Sequence, residues 1–216
     1  MGKGVAATFV CAATLAGCGS DGGGAETDAR PPLSRAQYAQ IYRLYRAQLP
    51  LDRANDAEDP TEIRRAARKA ARSCRAIDHR DPLLAALVDG CERSMSTLAE
   101  LANLDCQTER ECTKLMNDTA DVMDDLATTV RSNEPVFERE VPDEACRKAL
   151  TAPESVDAGA EYADAIRAAN AAIESGDPDK IKTTTAELEN ASAALDATPS
   201  ARETLEDFRA ACGPPR

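Results

Sequence analysis

Residues 59–77 read DPTEIRRAARKAARSCRAI, and this stretch decides the fold class. Asp59 stands directly ahead of Pro60, so a capping carboxylate precedes a proline at the first helical position, where the missing N–H costs nothing. Behind it Ile63, Ala67, Ala70, Cys74 and Ile77 recur at three- and four-residue intervals, which is the apolar stripe of a helix. The side chains off that stripe are basic: Arg64, Arg65, Arg68, Lys69 and Arg72. The small side chains at its centre, Ala67, Ala70 and Cys74, let a second helix approach closely, and alanine is the best helix former.

The same punctuation recurs along the chain. Ser34 and Gln37 make a capping box while Leu33 and Tyr38 occupy the positions of a hydrophobic staple, and Thr108 with Glu111 repeats the box. Asp81 before Pro82, Asp177 before Pro178 and Thr198 before Pro199 repeat the cap-and-proline start. Leu115, Thr119, Val122, Leu126 and Val130 carry a second helical stripe, and no segment alternates for long with a strand period. The spacing predicts helices over 34–49, 60–78, 82–104, 109–131, 143–150, 153–175, 178–196 and 199–212. The expected fold is therefore all-α, a disulfide-stapled helical bundle of about eight helices in two antiparallel halves. Residues 33–131 and 143–216 form the two halves, and residues 132–142, with Pro135 and Pro142 around Val136 and Phe137, form a packed connector.

Composition limits what fills the core. Trp is absent and aromatic residues are 3% of the chain, so burial falls to Leu, Ile, Val, Met and much Ala. The formal net charge is −12, which argues against nucleic acid, whose phosphates require clustered Lys and Arg, and against lying flat on an anionic membrane.

The N-terminal segment supplies an address. Lys3 precedes an apolar run from Val5 to Leu15, too short to span a bilayer, and Leu15, Ala16, Gly17 and Cys18 follow the aliphatic, small, small, Cys pattern. This segment resembles a bacterial lipoprotein signal peptide over its first 18 residues. The resemblance implies removal of residues 1–17 and lipidation of the Cys18 thiol, with the protein held on the extracytoplasmic face of a membrane. Two or three acyl chains make a stable anchor where one is marginal. Loss of Lys3 with the signal makes the net charge −13. Residues 18–32, rich in Gly and polar side chains, read as a tether reaching about 20 Å as a coil.

Setting aside Cys11 and Cys18 leaves Cys74, Cys91, Cys106, Cys112, Cys146 and Cys212, an even set on the oxidising side of a membrane. Three disulfides are expected. Zinc is the poorer reading, since no Cys-x-x-Cys pair exists and His79 is the sole histidine. Cys106 and Cys112 flank one turn and are near by construction. Cys91 and Cys106 share a predicted helix about 22 Å apart, which excludes that pair. Cys146 opens one helix and Cys212 ends the last, so their bond would clasp the C-terminal half; elimination leaves Cys74 with Cys91.

No catalytic, cofactor-binding or metal-binding constellation emerges. His79 lies among Asp78, Arg80 and Asp81 in a turn and reads as solvated, and no nucleophile elbow, phosphate loop or nucleotide fingerprint is found. Asp118, Asp121, Asp124 and Asp125 suggest either a weak cation stripe or a solvated face, the latter favoured. Tyr38, Tyr42 and Tyr45 form a stripe better suited to the core than to a ligand pocket. The basic run from Arg64 to Arg72 opposes the global charge; it suits an acidic partner, a lipid headgroup or an anionic wall polymer, or pairs with the chain's own acidic helices, the last favoured. Two functions fit best: a non-enzymatic binding or interaction lipoprotein, partnered by an envelope protein or wall polymer, and a small-ligand or metal-binding lipoprotein serving a transporter or sensor.

Overall fold

A computed structural model describes residues 32–57, 59–102 and 108–213. Its elements are α1 (Arg35–Asp56), α2 (Pro60–Arg75), α3 (Pro82–Leu101), α4 (Glu109–Glu140), α5 (Glu144–Thr151), α6 (Pro153–Ser175), α7 (Pro178–Asp196) and α8 (Ala201–Cys212). The described residues are all-helical, with no strand.

Helix starts lie where local chemistry puts them. Ser34 Oγ accepts from Gln37 N while Gln37 Oε1 accepts from Ser34 N, a reciprocal box, and Thr108 with Glu111 does the same. Asp59, Asp81 and Asp177 each accept two backbone N–H groups ahead of their prolines. Asp143 caps α5 through Cys146 N at 2.8 Å.

Two expected helix ends do not occur, and proline misled both. α1 runs through Pro50 to Asp56, and α4 runs through Pro135 to Glu140, so residues 132–140 are helix rather than connector. An internal proline costs about 3 kcal/mol through its lost hydrogen bond and ring clash. What lies beyond offsets it: Leu51 and Ala54 after the first proline, Phe137 and Val141 after the second, all at most 4% exposed. The start of α8 also moves. Ser200, not Thr198, is the cap, because Ser200 and Glu203 satisfy each other's donors while Thr198 Oγ1 bonds back to Leu195 O.

The helices pack as a closed ring with a flange. α2 lies against α1 and α3, α3 against α4, α4 against α5, α5 against α8, and α8 returns to α1. α6 packs on α4 outside this ring, and α7 rests on α6 with Leu195 as its one buried residue. The aromatic junction closes the ring: the Phe208 ring of α8 lies 5.0 Å from Tyr38 and 5.2 Å from Tyr45 of α1. Tyr45 is thus core, and Tyr38 and Tyr42 pack against it partly buried. Asp52 adds a polar closure, its carboxylate accepting from Ala201 N at 3.0 Å and Arg202 N at 3.1 Å at the head of α8.

Between α2 and its neighbours the contact surface is Ala66, Ala67, Ala70 and Ala71. A buried methyl contributes about 0.8 kcal/mol, against roughly 2 for a leucine side chain, so this seam is thin. Cys74 and Cys91 reinforce it at disulfide distance, Cα atoms 6.1 Å apart, and Cys146 and Cys212 do so between α5 and α8 at 4.8 Å. Cys112 is disulfide-bonded; Cys106, the partner expected for it, lies outside the described residues, as does Cys18.

Gly90 shows how close α3 and α4 come. A Cβ there would meet Leu126 Cδ1 at 3.0 Å. Gly176 ends α6 at φ 66°, a left-handed position that glycine takes without steric cost.

Candidate interaction face on the second helix

α2 turns its alanines and Cys74 inward, and 3.6-residue periodicity then sends its cations outward. Arg65, Arg68, Lys69 and Arg72 are exposed and Arg64 is half-buried. Arg65 pairs with Glu62 one turn earlier, and Arg75 reaches Glu92 of α3 at 2.5 Å. Among the described residues no carboxylate lies within 4 Å of Arg68, Lys69 or Arg72. The favoured expectation, that the basic run pairs with the chain's own acidic helices, fails for these three because they leave the bundle on its solvent side.

α1 adds to the same sign. Arg43, Arg46 and Arg53, at intervals of three and seven residues on the solvent stripe of α1, are exposed and likewise have no carboxylate partner within 4 Å among the described residues. Sequence reasoning passed over them, although their spacing was the available signal. Charge is therefore segregated along the chain. Residues 33–80 hold eleven Lys and Arg against six Asp and Glu, a balance of +5, whereas residues 81–216 hold thirteen against twenty-nine, a balance of −16.

Three aspartates of the acidic row on α4 pair across helices. Arg167 of α6 contacts Asp121 at 3.2 Å and Asp124 at 2.5 Å, and Arg93 of α3 contacts Asp125 at 3.1 Å, while Asp118 pairs within α4 with Lys114 at 2.5 Å. Hydrogen bonds to Asp121 and Asp124 hold the Arg167 guanidinium above its ordinary pKa. These pairs are exposed and worth at most about 1 kcal/mol each, so they orient helices more than they stabilise them. The favoured solvated-face reading holds for exposure and misses the pairing. No group of three or more His, Cys, Asp or Glu among the described residues is placed to hold a metal ion.

Beneath α1, α3 and α4 lies a small cavity of about 40 Å³ whose lining includes Tyr45, Gln48, Gly90, Cys91, Leu126 and Phe137. Tyr45 Oη and Gln48 Oε1 are buried without a hydrogen-bond partner, while Gln48 Nε2 points at Cys91 Sγ, 3.9 Å away. Burial alone pushes the Tyr45 phenol well above its ordinary pKa. At 10–15 Å³ per water, the cavity has room for about three. A wider groove of about 440 Å³ opens between α4, α5 and α6, and its cations are answered internally: Arg131 by Asp157 at 2.8 Å, Lys148 by Glu144 at 3.3 Å, Arg147 by Val141 O at 3.1 Å.

His79 is exposed in the α2–α3 turn, where Asp78 accepts from Arg80 N and Asp81 caps α3. Among the described residues no helix is long and apolar enough to cross a membrane. No protein-family profile, curated protein or solved structure matches this chain.

Proposed function

We propose that this chain is a lipid-anchored extracytoplasmic protein whose role is binding rather than catalysis, and that the basic face of α2 meets an anionic partner in the cell envelope. The observation that carries the binding role is the exposure of Arg68, Lys69 and Arg72 without a carboxylate partner among the described residues. Unpaired cations on a chain of net charge −12, spaced three and four residues apart so that they repel one another, gain from an outside anion. The address rests on Leu15 to Cys18, and the cysteines at disulfide distance suit an oxidising compartment. In this reading the bundle is two antiparallel halves, α1–α4 and α5–α8, with α8 closing back on α1.

The alternative, a small-ligand carrier, has in its favour the cavity bounded by Tyr45 and Gln48, whose size speaks for water, and the 440 Å³ groove between α4, α5 and α6, which alone reaches the roughly 300 Å³ of ligand pockets but whose cations are already answered within the chain.

Intact-mass analysis of the protein extracted from its native membrane tests the address. The expected species begins at Cys18, carries a diacylglycerol and has no free thiol. An unprocessed chain with free thiols in a cytosolic fraction would overturn it.

A further inference from the structure

The basic patch points to its own occupant. We propose that the α1–α2 side of the body rests on a surface of anionic phospholipid headgroups. This deepens the binding role proposed above and rests on it.

Three observations favour a lipid surface over a protein or a threaded polymer. The patch lies on the solvent side of one helix, and neither the cavity nor the groove described above includes Arg65, Arg68, Lys69 or Arg72 in its lining. A protein interface of ordinary strength needs buried apolar anchors at its centre. The one large apolar side chain exposed among the described residues is Ile173, on α6 rather than α1 or α2. Finally, the +5 segment, residues 33–80, directly follows residues 18–32, read above as the tether from Cys18. A 14-residue coil reaching about 20 Å keeps this segment near the bilayer, so even weak contacts are occupied. The global charge that argues against a flat approach is concentrated in residues 81–216, outside the segment that carries the patch.

The magnitude follows from the number of cations. Each Lys or Arg at an anionic surface raises partitioning roughly fivefold, so removing three lowers it about a hundredfold. The test uses the full chain with Cys18→Ser, which carries no lipid, sedimented with phosphatidylcholine vesicles with or without 30% phosphatidylglycerol (about one lipid in three, enough for a strongly negative surface potential). Binding to the neutral vesicles reports the apolar residues 5–15; the increment with phosphatidylglycerol reports the patch.

The increment is expected to be present, to vanish at high salt, and to fall about a hundredfold in Arg68→Gln/Lys69→Gln/Arg72→Gln. It should survive in Lys180→Gln/Lys182→Gln/Arg202→Gln, which changes net charge equally on α7 and α8. All these side chains are exposed, and unchanged ellipticity and melting verify the fold. No increment in the unmodified chain, or equal loss in both variants, overturns the proposal. Retention on immobilised poly(glycerol phosphate) with no vesicle increment overturns it too, and assigns the patch to a wall polymer. Acylation of Cys18 is read separately by mass, so failure of the anchor and failure of the patch are distinguishable.

Discussion

Replacing Cys146 and Cys212 together by alanine removes the clasp between α5 and α8, and its cost follows from the chain it closes. The two cysteines are 66 residues apart in sequence. In the chain-entropy relation a loop of that size costs the unfolded state about 4 kcal/mol, while the 17-residue separation of Cys74 and Cys91 gives about 3. All four sulfurs are at most 5% exposed, so the packing lost with each pair is similar and nearly cancels when the two double variants are compared. The decisive quantity is the difference. Urea unfolding should show the Cys146→Ala/Cys212→Ala protein about 1 kcal/mol less stable than Cys74→Ala/Cys91→Ala. For a body of this size the first should melt roughly 8–16 °C below the unmodified protein. Its m value should also rise, because the opened chain exposes more surface. Phe208 still holds α8 on α1, so the folded state survives to be measured. If the short-loop variant proves equally or more damaged, with m unchanged, the bonds act through native packing and the entropic account is wrong.

Asp52→Ala should cost about 1–2 kcal/mol by leaving Ala201 N and Arg202 N at the head of α8 without their acceptor, read as a lower urea midpoint. Burial, the largest influence, raises the Asp52 carboxyl above its ordinary 3.8 despite those two hydrogen bonds. A carboxyl raised on folding binds its proton more tightly in the native state, so stability relative to Asp52→Asn should fall as pH climbs from 3.8 through the raised value and be flat on either side. A rise over that window would mean that the hydrogen bonds outweigh burial. Pro135→Ala should stabilise α4 by up to about 3 kcal/mol, since the ring is exposed and the segment beyond is already helical; a lower melting temperature would show that the proline sets a bend the core needs.

Helix starts were legible because capping is a contact between neighbours. Ser34 reaches Gln37 and Asp81 reaches Leu83 and Leu84 whatever the rest of the chain does. Helix ends at Pro50 and Pro135 were misread because a local penalty was weighed without the burial of Leu51 and Phe137, which depends on helices distant in sequence. The candidate face was legible as a row of cations from Arg64 to Arg72. Whether a carboxylate would answer them was not, since a pair such as Arg75 with Glu92, or Arg167 with Asp121, is a fact of packing.

The sequence by itself determined that the chain is helical, where its helices begin, and that alanine and cysteine bear the burden that large side chains carry elsewhere; these are properties of periods and neighbours a few residues apart. Only the tertiary structure decided that Asp52 caps a helix 149 residues away, that Arg167 takes up the aspartates of α4, and that Arg68, Lys69 and Arg72 are left facing solvent. The reason is the reach of the forces involved: a cap or a stripe is settled within one turn, whereas the partner of a charge is whatever the packed chain brings within about 4 Å.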